Sequence, residues 1–318
     1  MTRTAPLLAT LALLGALCAM AAASKEDAPY RPTPDVSEDP PAWYAPDLFE
    51  PMPAPKPGDW MAAHPEPRQS FAAYVRSDPI RPSRRRHTLV VSQVGPMDAE
   101  EAGRLATLRE FLGLYYRLPV REGPAIGLDR ARSRRRSFLG RRVPQYLTAD
   151  ILRKALAPAL PRNAVCLQGV TMEDLYPEPS WNYVFGQASL RRRVGIYSLV
   201  RFQPEFWGEP QSEGTRRLAL VRSLKTLVHE TGHMFGVHHC QTYQCVMNGS
   251  NSLPESDRRP VHLCPVCLKK FRWGLGFDVM ERYETLGRFY RKHGLADEAA
   301  WVVKRLQQCR KGAARASQ

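Results

Sequence analysis

The sequence is short of acidic residues, and its basic runs contain no aromatic residues. It has 31 Asp and Glu against 46 Lys and Arg, which gives a formal net charge of +15. The clusters could attract phosphate or acidic surfaces, but they are dispersed and lack the aromatic rings on which bases stack. They therefore indicate a solvated, arginine-rich exterior, and no nucleic-acid partner is expected. The runs lie at Arg84–Arg86, Arg134–Arg136, Arg141–Arg142 and Arg191–Arg193.

Leucine-rich apolar sequence is concentrated at the amino terminus. The stretch MTRTAPLLATLALLGALCAMAAASK has an early Arg3, an apolar run and small residues before Lys25. This pattern predicts a signal peptide at residues 1–24 and export to the periplasm or the medium. An uncleaved membrane anchor is the alternative, because the run is nearly long enough to span a bilayer; a cytoplasmic location is another. The bulky Leu17 before Cys18 argues against a lipoprotein.

Residues 25–87 lack cysteine and are crowded with proline. Fixed φ angles and missing amide donors exclude a regular helix or a central strand, so we expect an extended N-terminal arm. Isolated aromatic residues such as Phe49 and Trp60 suggest that its later part lies against the folded domain, although they would equally suit a flexible linker. The arm could cover a cleft, but it offers no cysteine to block a metal.

Residues 88–293 have the pattern of a globular domain, and a helical tail is expected at residues 294–318. The order of predicted elements indicates a mixed α/β sheet. Those elements are a strand at Thr88–Gly95, a helix in DAEEAGRLATLREFLGLYYRL, a helix near Leu147–Ala157 capped by Thr148 or Asp150, a buried strand at Ala164–Met172, a strand pair in WNYVFGQAS and RVGIYSLVRF, and a long amphipathic helix that ends at Gly236.

The segment LKTLVHETGHMFGVHHCQTYQCVMNGS concentrates residues that bind metals. His229 and His233 are one helical turn apart, so both imidazoles can reach one ion. Glu230 can reach a water molecule on that ion without being a ligand. Gly236 can reverse the chain and return His239 to the same ion. His238 is the rival third ligand, but its spacing from Gly236 is less favourable, and it is expected to be exposed or behind the ligands.

Three imidazoles leave one coordination position open, which distinguishes a catalytic zinc from a closed structural one. The ion would lower the pKa of a bound water to about 7, so that Glu230 could take its proton and later pass it to the leaving amine. The sequence therefore predicts peptide hydrolysis with Glu230 as general base.

Four cysteines form two close pairs, Cys240 with Cys245 and Cys264 with Cys267. This spacing is typical of a closed four-thiolate zinc site, here beginning directly after His239. Disulfides are the alternative, and an oxidising destination would favour them, although neighbouring sulfurs in CPVC would make a strained bridge.

Three further sulfur-containing residues are given no catalytic role. Cys166 is predicted to be a small core residue and Cys309 a surface thiol. Met247 follows the metal-binding segment, where a methionine can form an apolar floor beneath the ligands.

These residues resemble those of the archaemetzincins, zinc metalloproteases of the metzincin clan. The resemblance rests on HETGHMFGVHHCQTYQCVM with CPVC downstream, and extends through DLFEP, GDWMAAHPE, GVTMEDLYPEPSWNYVFGQASL, VGIYS and DRRPVHLCPVCLKK to ERYETL, roughly residues 47–291. This sequence departs from the family pattern chiefly in its leader, because archaemetzincins lack an evident export signal.

The resemblance implies a metzincin-like zinc protease domain with two zinc ions per chain. It makes Glu230 the general base, Met247 the Met-turn residue, and a strand within Trp181–Ser189 the upper rim of a cleft for an extended peptide. The implied ligands are His229, His233 and His239 for the catalytic zinc, and Cys240, Cys245, Cys264 and Cys267 for the structural one. We expect a monomer acting on peptides or proteins. The rival hypothesis is a non-catalytic, zinc-stabilised binding module with a basic docking surface.

Overall fold

The structure, a computed structural model, describes residues 30–316, with side chains described to residue 312. The predicted signal peptide and Cys18 lie outside the described residues, so cleavage and export stay predictions. Within residues 30–316, none of the helices combines the length and apolar character needed to cross a bilayer.

A five-stranded sheet forms the centre of the fold, in the order β2-β1-β5-β8-β7. All neighbours are parallel except β7, which runs antiparallel to β8 at one edge. Every residue of β5 is buried, as expected for a central strand covered on both faces. The predicted strand, the buried strand and the strand pair are thus confirmed. Their bounds are β1 (Thr88–Gln93), β2 (Val120–Glu122), β5 (Ala164–Thr171), β7 (Gly186–Ser189) and β8 (Val194–Ser198).

A second, three-stranded sheet has the order β3-β4-β6, comprising Ser133–Phe138, Arg141–Leu147 and Asp174–Tyr176. The sequence pattern did not predict this sheet. The hairpin turn at Leu139 and Gly140 has two positive φ angles, which suits a tight two-residue connection. In the same region Arg201 makes a buried, bidentate ion pair with Asp174, with both N···O distances 2.7 Å.

Ten α-helical segments are described in residues 30–316. They are α1 (Trp60–Ala63), α2 (Phe71–Arg76), α3 (Ala99–Tyr116), α4 (Thr148–Asp150), α5 (Ala157–Ala159), α6 (Glu213–Met234), α7 (Leu253–Arg258), α8 (Pro265–Leu275), α9 (Val279–Lys292) and α10 (Ala296–Ala316). The prediction of α3 is confirmed, and Asp98 and Glu101 form a reciprocal capping box at its start.

The helix predicted near Leu147–Ala157 exists, but its predicted cap is wrong. A π-helical turn at Ile151–Leu156 connects α4 with α5, and Leu147 occupies the N-cap position without a side-chain hydrogen bond. Thr148 lies inside the helix. Asp150 is instead buried, and its carboxylate pairs with the side chains of Arg132 and Lys154. It therefore does not accept a hydrogen bond from the backbone amides at the start of the helix.

Helix α6 carries the histidine motif, and its carboxyl-terminal half is buried almost completely. Ser212 and Thr215 cap its start, while Gly236, at φ +78°, follows its end as predicted. Tyr116 of α3 is fully buried and donates a 2.5 Å hydrogen bond to the Val228 carbonyl. This contact ties the helix to its neighbour immediately before the first histidine of the motif.

The N-terminal arm packs against the globular domain. Phe49 is buried beside Tyr243, His262 and Trp301, and the backbone of Met52 donates to the Thr242 carbonyl. The exclusion of regular helix from the arm was wrong at the short α1 and at α2. In α2 the sequence FAAYVR is free of proline, Ser70 caps the helix, and Tyr74 is buried. The observed packing favours the contact interpretation of the arm over a flexible linker.

The C-terminal segment is helical as predicted, and α10 packs against α9 and the arm. The prediction of Cys309 as a surface thiol was wrong. Its side chain is buried because the arm covers it, and its Sγ lies 3.7 Å from the Ala42 carbonyl oxygen. Cys166 is a buried core residue on β5, as expected.

Candidate active site

Three histidines converge where α6 ends. His229 and His233 project from the last turns of the helix, and the reversal at Gly236, whose amide donates to the His233 carbonyl, returns His239 to them. The candidate ligand nitrogens lie within 4.8 Å of one another. The Nε2 atoms of His229 and His233 are 3.0 Å apart.

Each imidazole has an oxygen acceptor on its Nδ1 side, which leaves its Nε2 atom for the centre of the cluster. The Nδ1 atoms of His229 and His233 lie 2.8 and 2.7 Å from the carbonyl oxygens of Val246 and Val237. The Nδ1 atom of His239 lies 2.6 Å from Oε1 of Glu66. Carbonyl and carboxylate acceptors favour the tautomer with hydrogen on Nδ1, so three Nε2 lone pairs meet.

The histidine cluster fits a zinc ion. Two ligands bound at about 2.0–2.1 Å in a tetrahedral arrangement are about 3.3 Å apart, close to the observed Nε2 separation. Burial holds the pKa of His229 far below its ordinary value and lowers that of His233 to about 3. The imidazoles of His229 and His233 are therefore neutral, which is the form that binds a metal.

Glu230 lies beside the cluster with its side chain buried. Burial raises the pKa of its carboxyl to about 8, and the nearby Arg259 opposes the rise. The carboxylate fits only because residue 186 at the start of β7 is glycine. A Cβ built there would lie 2.7 Å from Oε1 of Glu230 and 2.8 Å from its Cδ.

The histidines and Glu230 line an open cavity of about 540 Å³. Its walls come from α6, from β7 and the loop 177–185 before it, and from the arm through Trp60 and Glu66. The predicted rim strand within Trp181–Ser189 is therefore present as β7, which lies at the edge of the described central sheet. An edge strand has backbone groups free to pair with an added strand.

Met247 packs directly against the helix that carries His229 and His233. A Cβ on Gly232 would lie 2.7 Å from its Sδ atom, so this glycine makes room for the methionine between the two helical histidines. Arg259 holds the same loop by donating to the Asn248 carbonyl at 2.5 Å. Met247 thus lies where the predicted apolar floor would be.

The four grouped cysteines form a second cluster. All are buried free thiols, and their sulfur atoms lie within 4.8 Å of one another. The Sγ atoms of Cys240 and Cys264 are 3.6 Å apart, far from the ~2.05 Å of a disulfide and close to the edge of about 3.8 Å of a tetrahedron with Zn–S bonds of about 2.3 Å. Amide groups also donate to the sulfurs, Cys264 N to Cys245 and Cys267 N to Cys264. This geometry favours a metal over disulfides.

Sequence reasoning missed three residues of this site: Glu66, Gly186 and Arg259. Each lies far along the chain from the residue that it contacts, and no spacing rule links the two. His238, the rival ligand, is exposed at the cavity wall, as expected from its position.

Comparison with known proteins identifies the family. The profile of "Peptidase family M54" matches residues 163–273. Archaemetzincin-2 of Macaca fascicularis is 36% identical over 261 residues, covering 73% of this chain and 72% of that protein. Archaemetzincin-2 of Homo sapiens has the same identity and the same coverage. The chain belongs to the archaemetzincin family.

The crystal structure of archaemetzincin (amzA) from Methanopyrus kandleri is also similar, with 27% identity and a TM-score of 0.46, covering 62% of this chain and 99% of that one. As an archaemetzincin, the chain is a metallopeptidase with a mixed α/β fold. The match to the family profile includes the segments that supply the histidine motif and the four cysteines.

Proposed function

We propose that the protein hydrolyses peptide bonds with Glu230 as the general base. The observation that supports this role most directly is the placement of the Glu230 carboxylate. It lies next to three converging imidazoles, faces a cavity of about 540 Å³, and has room there only because residue 186 is glycine. A site built only to hold a structural ion would not require a buried carboxylate beside an open cavity.

The proposed catalytic metal is zinc, held by His229, His233 and His239. When bound, zinc would polarise the scissile carbonyl and lower the pKa of a water molecule to about 7. Glu230 would accept a proton at Oε1 or Oε2 from the attacking water and deliver it to the nitrogen of the leaving amine. Burial raises the pKa of this carboxyl, and the charge of a bound ion would lower it again, toward the range in which the group can accept and release a proton near neutrality.

We propose a second, structural zinc at Cys240, Cys245, Cys264 and Cys267, which gives two ions per chain. Four thiolates would complete its tetrahedral shell, so this ion should resist mild chelation. Metal analysis should find two zinc ions, of which mild chelation removes one. Fewer than two ions, together with no titratable thiols, would contradict the assignment.

An extended peptide substrate is proposed to lie along β7. The strand is at the sheet edge beside Glu230, where a substrate backbone could pair with it as an additional antiparallel strand. This arrangement would bring a substrate carbonyl to the histidine cluster, with side chains alternating between the cavity and solvent.

The test is the Glu230→Gln substitution, which keeps the shape of the side chain and removes its basicity. We expect both metals and the fold to be retained and peptide cleavage to fall at least ~100-fold, the typical contribution of a positioned acid–base group. Mass-spectrometric profiling of a peptide library would compare this variant with the metal-loaded wild type. Undiminished cleavage would remove Glu230 from the mechanism.

A further inference from the structure

The N-terminal arm places a carboxylate on the third histidine. Oε1 of Glu66 lies 2.6 Å from Nδ1 of His239, with the two side chains 29% and 14% exposed. The indole Nε1 of Trp60 donates to the same carboxylate oxygen at 2.9 Å. The Glu66 carboxylate is therefore held by Trp60, another residue of the arm. It contacts the Nδ1 edge of the His239 ring and leaves Nε2 for the histidine cluster.

The backbone around Glu66 is fixed independently of that contact. The side-chain amide of Gln241 donates to the Glu66 carbonyl at 2.9 Å, and the Trp60 amide donates to Oε1 of Glu255 at 2.8 Å. The Trp60 ring also packs edge-on against His239, with their centroids 5.1 Å apart. Glu66 is thus held by several contacts besides the one with His239.

The next part of the arm is hydrogen-bonded to the turn that brings His239 into the cluster. The side chain of Gln69 donates to the Gly236 carbonyl and accepts from the His238 amide. Buried Lys270 donates to both oxygens of Gln69, at 2.7 and 2.9 Å. Residues 60–69 therefore contact the turn 236–241 at several points, and Glu66 is the residue among them that contacts the imidazole of His239.

The other two histidines are oriented by carbonyls close to them in the chain. His233 uses Val237, four residues away, and His229 uses Val246, seventeen residues away. His239 follows the helix, lies on a reversing segment, and uses a residue 173 positions away. Without Glu66 its ring would lack the acceptor that fixes its rotation and its tautomer.

We propose that Glu66 is a positioning residue of the metal site, so that the arm completes the catalytic centre. The inference rests on the proposed assignment of the three histidines as metal ligands. A carboxylate that accepts from Nδ1 orients the ring and makes Nε2 more basic, and loss of such a partner typically weakens metal binding about 10- to 100-fold. Glu66 acts through His239 and makes no contact with substrate in this role.

The test measures metal affinity rather than activity. Glu66→Met keeps most of the side-chain volume and removes the acceptor, and Glu66→Ala gives a second variant should the first fold poorly. Glu50→Met is the matched control, because Glu50 is an exposed carboxylate of the same arm with no described side-chain hydrogen bond. Co²⁺ is the probe in a competition titration with a chelator. Thiolate and imidazole ligation give different absorption spectra, so the two sites are read separately.

We expect the Glu66 variants to bind Co²⁺ at the histidines about 10- to 100-fold more weakly, with the cysteine site and the Glu50→Met control unchanged. Glu66→Gln, which retains an oxygen acceptor, should recover part of the loss. Wild-type affinity in a folded Glu66→Met or Glu66→Ala protein would overturn the inference and leave the proposed function intact. Normal wild-type affinity at the histidines without cleavage of any peptide would overturn the proposed function only. A wild type that binds no metal at the histidines would overturn both.

Discussion

Substitution of Gly186 by alanine should damage catalysis while leaving the fold and both metal clusters in place. The added Cβ would lie 2.7 Å from Oε1 of Glu230, about 0.7 Å short of the 3.4 Å at which ordinary contact begins. The strand cannot easily retreat, because Gly186 is paired with the fully buried Tyr197 of β8. The carboxylate must therefore move, and Gly186 has no positive φ that would add backbone strain.

The size of the effect follows from that displacement. A misplacement of about 1 Å in a reacting group can cost on the order of 100-fold in rate. For the shift of about 0.7 Å we expect kcat/KM to fall about 10- to 100-fold, which is about 1.4–2.7 kcal/mol of transition-state stabilisation. Initial rates on a peptide identified from the library would measure it, alongside metal content and thermal unfolding.

Two further variants test whether the clash with Glu230 causes the loss. Gly103→Ala is a matched control, because a Cβ on this α3 glycine meets nothing within 4 Å, and it should leave activity unchanged. In a Glu230→Ala background the side-chain atoms of the clash are absent, so any loss of thermal stability caused by Gly186→Ala should be smaller than in the wild type. Full activity of Gly186→Ala, or an equal loss of thermal stability in both backgrounds, would refute the account.

Three further predictions concern stability. The buried Lys225 has its pKa lowered to about 8, mainly by burial, so the unfolded chain binds its proton more tightly than the folded chain does. Its contribution to the free energy of unfolding therefore rises by up to about 3 kcal/mol from pH 8 to pH 10.5. This rise should vanish in Lys225→Met, and urea denaturation at several pH values would measure it. Cys264→Ser should release the chelation-resistant metal and lower the melting temperature markedly, because binding of a structural zinc contributes directly to folding; calorimetry with metal analysis would test it. Arg201→Met should lower the free energy of unfolding by roughly 3–5 kcal/mol by leaving Asp174 buried without its partner, and a second substitution, Asp174→Asn, should restore part of that loss in urea titrations.

The histidine and cysteine clusters could be predicted from the sequence because their members are close together in the chain. His229, Glu230 and His233 are placed by helical periodicity alone, and Gly236 marks where the chain must turn. The buried strand β5 was equally readable, since its sequence AVCLQGVT is mostly apolar.

The remaining features depend on contacts between distant segments. The Arg-rich hairpin β3-β4 lacks the β-branched pattern of a strand. It is stabilised partly by Arg134, which donates to the carbonyls of Pro179 and Trp181. Cys309 is buried by an arm that precedes it by more than 200 residues. No local pattern records such contacts, so Glu66 and the burial of Cys309 could not be predicted.

His239 and Cys240 are joined by one peptide bond, so the two clusters share a single short loop. An ion on the sulfurs would restrict that loop and thereby reduce the entropy that an ion at the imidazoles must overcome. Such coupling is thermodynamically reciprocal, so each ion should raise the affinity for the other. Loss of the sulfur-bound ion should therefore also weaken binding at the imidazoles, whereas loss of the imidazole-bound ion leaves the tighter cysteine site loaded.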